Sequence, residues 1–213
     1  MSAVKIKICG LTDEEAVDAA VEAGADFVGV VFFEKSPRHV TIEWAAEILS
    51  FVPEEVARVG LFVDADDRFL DEAMNNLRLD LFQFHGSETP ERVETVRQEY
   101  GMPVMKALQI ATAADLDAAQ AYAEVADWLL FDAKPPAGAV LPGGNAQSFD
   151  WTLLKGRKWA CPWMLAGGLT ADNVAEAIKA SGAKAVDVSS GVESAPGIKD
   201  AEKIARFIQA VRG

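Results

Sequence analysis

Two residues of the chain combine reactive chemistry with a position at the end of a predicted strand. Cys9 follows the strand-like run 5–8, and Asp132 follows the apolar run 128–131. A thiol ordinarily has a pKa of about 8.5, and a neighbouring cation such as Lys7 lowers it. A partly desolvated carboxyl group keeps its proton more readily, which suits a general acid. Cys9 is therefore a candidate reactive thiol and Asp132 a candidate acid. The alternatives are a buried structural cysteine and an aspartate that only caps or ion-pairs.

Further polar residues follow other predicted strands. Arg38 lies in the loop after the second strand and is either a solvated charge or an anion clamp. His85 follows the fourth strand and is either a structural hydrogen-bonding group or a catalytic one. Lys106 lies in the fifth strand and Asp187 ends the eighth. The opposite ends of the strands are mostly apolar, so this asymmetry predicts one polar mouth that holds the active site.

Three turns rich in small residues follow the last three predicted strands. They contain the runs 143–144, 167–168 and 189–191. Glycine lets backbone N–H groups approach a ligand closely, and barrels often bind phosphate at their last two loops. The pattern favours a phosphate site over ordinary turn glycines. Its candidate residues are Gly144, Gly167, Gly168, Ser189, Ser190 and Gly191.

Apolar strands alternate with amphipathic helices along the whole chain, in eight strand–helix units. Repeated units of this kind predict parallel strands with right-handed crossovers. Eight of them close into a (β/α)8 barrel, so the predicted architecture is a single α/β barrel domain over 1–213. The rival, a doubly wound open sheet, should carry a glycine fingerprint after its first strand, and the turn 9–12 has none. The predicted helices include 113–123, a short one near 149–155 and a last one at 200–212.

The alternation of the first strand predicts which side chains enter the barrel. Ile6 and Ile8 should face the helices, whereas Lys5, Lys7 and Cys9 share the inner face. An ammonium group inside a barrel needs an acidic partner, because an unpaired buried charge is costly.

Asp187 is the predicted partner of Lys7, because the first and eighth strands of a closed barrel are neighbours. Asp132 or ordered water is the alternative. Cys9 and Cys161 should lie at opposite ends of the barrel, too far apart for a disulfide. Both should be free thiols, with Cys9 the more readily alkylated.

The composition limits the partners that the protein can have. Half of the residues are hydrophobic and a quarter are charged, as in an ordinary globular protein, and the net charge is −13 with a pI of about 4.6. That sign argues against nucleic acid and against an anionic membrane surface. The chain shows neither a signal segment nor zinc-ligand spacing, and its apolar runs are too short to span a bilayer. We therefore expect a cytoplasmic protein without a metal site, and leave monomer or homodimer open.

Seven segments carry a resemblance to one known family, and they are distributed over nearly the whole chain. They are Lys7-Ile8-Cys9-Gly10, Lys35-Ser36-Pro37-Arg38, Gln83-Phe84-His85-Gly86, Leu130-Phe131-Asp132, Phe149-Asp150-Trp151, Ala166-Gly167-Gly168-Leu169 and Asp187-Val188-Ser189-Ser190-Gly191-Val192-Glu193. In these segments the chain resembles phosphoribosylanthranilate isomerase, an enzyme of tryptophan biosynthesis.

The resemblance implies a (β/α)8 barrel that uses no cofactor or metal and acts on a small phosphorylated aminosugar. The implied reaction is an Amadori rearrangement of N-(5-phosphoribosyl)anthranilate to an open-chain 1-deoxyribulose 5-phosphate. By motif, Cys9 corresponds to the general base and Asp132 to the general acid, while Arg38 holds or flanks the anthranilate. His85 and Asp187 are expected to complete the substrate site. Backbone amides near Gly144, Gly168, Ser190 and Gly191 are expected to hold the phosphate.

One loop departs from the family pattern. After Gly143 and Gly144 the chain continues Asn145-Ala146, whereas the family usually has Ser or Thr followed by Gly. Alanine does not adopt positive φ cheaply, so the contribution of this loop to phosphate binding is open.

Other functions remain possible from the residues alone. A ProFAR isomerase should use two aspartates at strand ends, and a ribulose-phosphate epimerase should have a metal site. Cys9 in place of the first aspartate and the lack of a His/Asp metal set argue against both. A non-catalytic barrel that binds a phosphorylated ligand is a further alternative, and it predicts binding without turnover.

Overall fold

The computed structural model describes residues 3–135, 138, 141–144 and 147–213 of the chain. Its main strands are β1 (Lys5–Cys9), β2 (Phe27–Phe32), β3 (Ala57–Phe62), β4 (Leu81–Phe84), β5 (Val104–Ile110), β6 (Trp128–Ala133), β7 (Trp163–Leu165) and β8 (Ala185–Val188). These eight strands are parallel and close into a barrel in chain order, with β1 paired to both β2 and β8. The predicted barrel is confirmed, and the open sheet is excluded.

The side chains of β1 alternate as predicted. Ile6 and Ile8 are fully buried between the strands and the helices. Lys7 and Cys9 are buried on the inner face. Lys5 begins the strand and is exposed at the amino-terminal rim, with its ammonium 5.4 Å from the centre of the Phe27 ring. Of the polar residues of β1, Lys7 and Cys9 therefore carry their reactive groups into the interior, whereas Lys5 does not.

A layer of apolar side chains fills the amino-terminal half of the barrel. Its members are Phe27, Val59, Leu81, Met105, Ala107, Leu130, Met164, Ala166 and Ala185. Such inward layers make a barrel interior a packed core rather than a pore. The layer gives any cleft at the carboxyl ends of the strands an apolar floor.

Seven α-helices surround the strands in the described part of the chain. They are α1 (Glu14–Glu22), α2 (Ile42–Leu49), α3 (Asp67–Asn76), α4 (Pro90–Tyr100), α5 (Ala119–Val125), α6 (Val174–Ser181) and α7 (Ala201–Arg212). Five of them begin after a side chain that accepts a hydrogen bond from the third helical N–H group, the usual N-cap arrangement. These caps are Asp13, Thr41, Asp66, Thr89 and Asp200. No helix among the described residues is both long and apolar enough to cross a bilayer.

Two predicted helices take a different form. The stretch 113–123 is a 3-10 turn, Ala113–Leu116, followed by α5, and the short helix near 149–155 is a 3-10 turn over Trp151–Leu154. In the first case the Asp115 carboxylate accepts hydrogen bonds from the N–H groups of two preceding residues. That local competition tightens the first turn and delays the α-helix.

A hairpin after β8 is absent from the sequence prediction. A 3-10 turn over Ser190–Val192 leads into β9 (Glu193–Ala195), which pairs antiparallel with β10 (Ile198–Lys199). Gly197 in its turn has φ of 84°, and a Cβ there would lie 2.4 Å from the carbonyl oxygen of Pro37. Only glycine therefore lets the hairpin lie against the loop that follows β2.

Candidate active site

A cleft at the carboxyl ends of the barrel strands opens to solvent and has a volume of about 780 Å³, part of which is open solvent. Every site residue predicted from the sequence lines it. These residues are Cys9, Arg38, His85, Asp132, Asp187, Gly144, Gly167, Gly168, Ser189, Ser190 and Gly191. The predicted polar mouth is thus one continuous surface, with candidate base, candidate acid and small-residue turns within it.

Lys106 is the exception among the polar residues expected at this mouth. It does not line the cleft, because its neighbours Met105 and Ala107 take the inward positions of β5. The Lys106 ammonium instead lies 2.7 Å from both the Glu88 carboxylate and the Gly86 carbonyl oxygen. It therefore stabilises the loop after β4 from the side away from the cleft.

The candidate base lies beside a buried ion pair. The Lys7 ammonium is 2.7 Å from the Asp187 carboxylate, which confirms the predicted pairing. Cys9 is opposite Gly29 in the register of β1 and β2. A Cβ at Gly29 would be 3.1 Å from the Cys9 sulfur and 3.3 Å from the Lys7 ammonium, so the missing side chain leaves room for both groups. Thiol and ammonium consequently lie side by side.

Burial changes the expected titration of the Cys9 thiol. Cys9 is only 4% exposed, and burial raises the pKa of its thiol by more than the neighbouring Lys7 ammonium lowers it. The predicted lowering by Lys7 is therefore present, but it does not bring the thiol pKa below its ordinary value. Burial also works to lower the pKa of Lys7, but Asp187 and Cys9 together raise it well above its ordinary value. Lys7 is a permanent cation at the thiol.

The exposure of the two thiols argues against the predicted order of alkylation. Cys9 is buried, whereas Cys161 is partly exposed, and both are free as expected. Cys161 precedes β7 at the amino end of the barrel, away from the cleft. An alkylating reagent therefore meets Cys161 first.

The candidate acid makes one close hydrogen bond and lies at the end of two longer polar contacts. One oxygen of Asp132 accepts a 2.8 Å hydrogen bond from the N–H group of Ala133. The other lies 3.3 Å from His85 Nε2, and His85 Nδ1 lies 3.4 Å from the side-chain nitrogen of Gln83. Among the described residues, His85 Nε2 and Gln83 Oε1 are buried without a hydrogen-bond partner. Gln83 also lines the cleft but is not among the predicted site residues. The available sequence signal was its place on β4, two residues before His85, because side chains two residues apart share a face.

Arg38 is an organised cation rather than a solvated one. It is 6% exposed, and its Nε and Nη2 atoms donate to the two carboxylate oxygens of Glu193 at 2.7 and 2.9 Å. The chain turns sharply at Gly10, where a Cβ would be 2.6 Å from the Arg38 side chain. Glycine with φ of 76° is therefore needed for the arginine stem to cross the end of β1. The structure favours the anion-clamp interpretation of Arg38.

The small-residue turns bring backbone amides to the cleft. Gly167 and Gly168 have φ of 86° and 63°, a left-handed conformation that favours glycine. Their N–H groups donate no hydrogen bond to the described part of the chain. Gly191 contributes by close approach, because a Cβ there would lie against the carbonyl oxygen of Leu169. The turns after β7 and β8 are thereby held together with free N–H donors, as an anion site requires.

The turn after β6 is only partly described. Gly144 has φ of 72° and lies beside Arg38 in the cleft. Asn145 and Ala146, where the chain departs from the family pattern, lie outside the described residues. Among the described residues no group of three potential ligands could hold a metal ion.

Comparison with known proteins decides the family. Residues 6–210 match the family model described as N-(5'phosphoribosyl)anthranilate (PRA) isomerase. The chain belongs to this family. It is 67% identical to the N-(5'-phosphoribosyl)anthranilate isomerase of Paramagnetospirillum magneticum, over 99% of this chain and 98% of that protein. The corresponding enzyme of Rhodospirillum rubrum is 64% identical over 100% and 99%.

Solved PRA isomerases have the same fold. The phosphoribosyl anthranilate isomerase of Thermotoga maritima matches with a TM-score of 0.89 and 36% identity, over 99% of each chain. A second PRA isomerase structure matches with a TM-score of 0.85 and 35% identity, again over 99% of each chain. That structure is a complex with reduced 1-(o-carboxyphenylamino)-1-deoxyribulose 5-phosphate.

Proposed function

We propose that this PRA isomerase rearranges N-(5'-phosphoribosyl)anthranilate with Cys9 as general base and Asp132 as general acid. Membership of the family supports the reaction, which belongs to tryptophan biosynthesis. The observation that carries the assignment of roles is that Cys9 and Asp132 line one cleft from the ends of β1 and β6, next to the amide-rich turns. A substrate held by its phosphate at those turns can reach both groups.

Asp132 starts the reaction as the acid. In its protonated form it gives a proton to the ring oxygen of the aminosugar, and the ring opens to a protonated imine whose nitrogen is the anthranilate nitrogen, conjugated with the aromatic ring. The Ala133 N–H group donates to one carboxylate oxygen at 2.8 Å and fixes its orientation, and the His85 ring lies 3.3 Å from the other oxygen. General acid catalysis of this kind typically contributes about 10²–10⁴-fold to the rate.

Cys9 completes the reaction as the base. Its thiolate removes the proton from C2′, which gives an enolamine, and tautomerisation of the enolamine gives the ketone product. Burial opposes the thiolate by raising the thiol pKa, and the adjacent Lys7 ammonium stabilises the thiolate when it forms. One proton enters through Asp132 and one leaves through Cys9. Oxidation at C2′ is balanced by reduction at C1′ of the same molecule, so no redox partner is needed.

The remaining site residues bind and orient the substrate. The free amides of Gly167 and Gly168, with the turns at Gly144 and 189–191, suit the phosphate dianion. The guanidinium of Arg38 suits the anthranilate carboxylate. His85 and Asp187 line the same cleft, and we assign them to the sugar. The free thiols favour a reducing, cytoplasmic location for the enzyme.

The reaction is tested by following the fluorescence of the anthranilate group in N-(5'-phosphoribosyl)anthranilate after addition of purified protein in the presence of EDTA. Loss of fluorescence at an enzymatic rate is expected. Binding without turnover would identify a ligand-binding barrel, and activity that disappears with EDTA would contradict catalysis by Cys9 and Asp132 alone.

A further inference from the structure

The hairpin β9–β10 places a carboxylate directly behind the arginine of the cleft. Glu193 is 8% exposed and does not line the cleft, whereas Arg38 does. The two-point contact uses Nε and Nη2 of the guanidinium. A planar fork held at two nitrogens has a fixed orientation, because rotation of the guanidinium would break one of the two hydrogen bonds.

The third nitrogen of Arg38 is left for a ligand. Nη1 donates no hydrogen bond to the described part of the chain, and a Cβ on Gly144 would lie 2.7 Å from it. Gly144 lines the cleft, so Nη1 lies at the cleft wall. The pairing with Glu193 therefore presents one free donor edge of a rigid cation to the space where substrate binds.

Glu193 does not neutralise this corner of the cleft. Its carboxylate also accepts a 2.7 Å hydrogen bond from the Lys199 ammonium, which is almost fully buried. Although burial opposes ionisation, these two cations hold the pKa of the Glu193 carboxyl below its ordinary value. Two cations therefore share one anion, and a single positive charge remains for an anionic ligand in a chain whose net charge is −13.

Hydrogen bonds fix the hairpin to the turns after β1 and β8. Lys199 donates to the Ser189 carbonyl oxygen at 3.1 Å, and Thr12 donates to the Gly197 carbonyl oxygen at 3.2 Å. The N–H group of Gly197 donates to Glu193 at 3.3 Å. These contacts tie the hairpin to the turns after β1 and β8. The position of the Glu193 carboxylate is therefore set by three elements and not by its own strand alone.

We propose that Glu193 is a positioning residue for substrate recognition, which holds Arg38 so that Nη1 faces the anthranilate carboxylate. This inference rests on the assignment of Arg38 under the proposed function. It adds that recognition of the carboxylate depends on a residue that never touches the substrate.

The test compares two ligands and two variants of the full chain. The ligands are reduced 1-(o-carboxyphenylamino)-1-deoxyribulose 5-phosphate and the same molecule without its carboxylate, and the dissociation constant of each is measured by calorimetry. Glu193→Gln should weaken binding of the carboxylated ligand about 10- to 100-fold, the range for one charge-assisted interaction. Binding of the ligand without the carboxylate should change by less than about threefold.

Glu202→Gln is the matched control, because it removes the same charge from an exposed residue in the first turn of α7. It should leave both dissociation constants unchanged. Thermal unfolding of each variant checks the fold. If Glu193→Gln does not fold, Glu193→Asp keeps the charge but is too short for both nitrogens, and it should show the same selective loss.

Equal weakening of both ligands by Glu193→Gln would overturn the proposal, because Glu193 would then support the whole cleft. No weakening of either would overturn it as well. A wild-type protein that binds the two ligands equally would instead refute the assignment of Arg38. This outcome is read from the wild type alone, so it is distinguishable from failure of the Glu193 proposal, which is read from the variants.

Discussion

The two sides of the cleft hold their reactive groups in different ways. On the β1–β8 side, the Lys7 ammonium and the Asp187 carboxylate are 2.7 Å apart, and Cys9 is buried beside them. On the β4–β6 side, Asp132 and His85 are 3.3 Å apart, and the next contact, between His85 and Gln83, is 3.4 Å long. Within the described residues, the β1–β8 side (the proposed base side) has its charges paired, whereas the β4–β6 side (the proposed acid side) retains polar atoms without hydrogen-bond partners.

This difference indicates what each group needs. A buried thiol becomes an anion only if a cation is already in place, because moving a side chain into the site would cost free energy during the reaction. Under the proposed roles, the acid must instead meet a ring oxygen that arrives with the substrate, so we expect its contacts to tighten on binding. We infer that the base side is preorganised by the protein and that the acid side is completed by the ligand.

The largest expected effect comes from the acid side. Asp132→Asn keeps the shape of the side chain but removes the proton that opens the ring, so kcat should fall about 10²–10⁴-fold. The dissociation constant of the reduced product analogue should stay nearly unchanged, because the phosphate turns are intact. Steady-state kinetics and calorimetry measure the two quantities, with the exposed Asp172→Asn as control. A loss of binding that parallels the loss of kcat would show that Asp132 binds rather than catalyses.

The fold and much of this site could be predicted from the sequence, because their determinants repeat along the chain. Eight strand–helix periods dictate the barrel, and the alternation in β1 dictates that Lys7 and Cys9 share a face. Closure then makes Asp187 the neighbour of Lys7, as the register Lys7–Asp187 confirms. These inferences need only periodicity and topology.

Other features could not be predicted, because they depend on distances and burial. The hairpin that carries Glu193 has strands of three and two residues, too short to show an alternating pattern, and its partner Arg38 is 155 residues away in the chain. The pKa of Cys9 is a balance between burial and the Lys7 charge, and only the structure shows that burial dominates.

An intermediate effect is expected on the base side. Lys7→Met removes the cation at Cys9 and leaves the Asp187 carboxylate nearby, and both changes disfavour the thiolate. The pKa for reaction of Cys9 with iodoacetamide should rise by about one unit or more, a tenfold slower reaction at a given pH. The measurement uses a Cys161→Ala background so that Cys9 is the single thiol that reacts.

The double variant Lys7→Met/Asp187→Asn sharpens this prediction. It removes the unpaired carboxylate, so the shift in the pKa of Cys9 should be smaller than in Lys7→Met but still upward, because the Lys7 charge acts on the thiol more strongly than Asp187 does. It should also recover much of the stability lost by Lys7→Met, since a buried carboxylate left alone costs about 3–5 kcal/mol. Identical alkylation profiles in all three proteins would remove the electrostatic role of Lys7.

The smallest expected effect is a difference in the alkylation rates of the two thiols, which follows from their exposure. Native protein treated with a limiting amount of iodoacetamide should be labelled at Cys161 before Cys9, because Cys161 is partly exposed and Cys9 is buried. The reduced product analogue should slow labelling of Cys9 and leave Cys161 unaffected. Peptide mass spectrometry reads both sites, and preferential labelling of Cys9 would show that the base side opens to solvent.

The most direct test of the two-sided mechanism is the single-turnover rate of Cys9→Ala, measured together with its dissociation constant for the reduced product analogue. If the preorganised base side performs the proton abstraction, the rate should fall about 10²–10⁴-fold while the dissociation constant stays close to that of the wild type. Cys161→Ala should match the wild type in both quantities. A near-normal turnover rate in Cys9→Ala would contradict the assignment of Cys9 as the base.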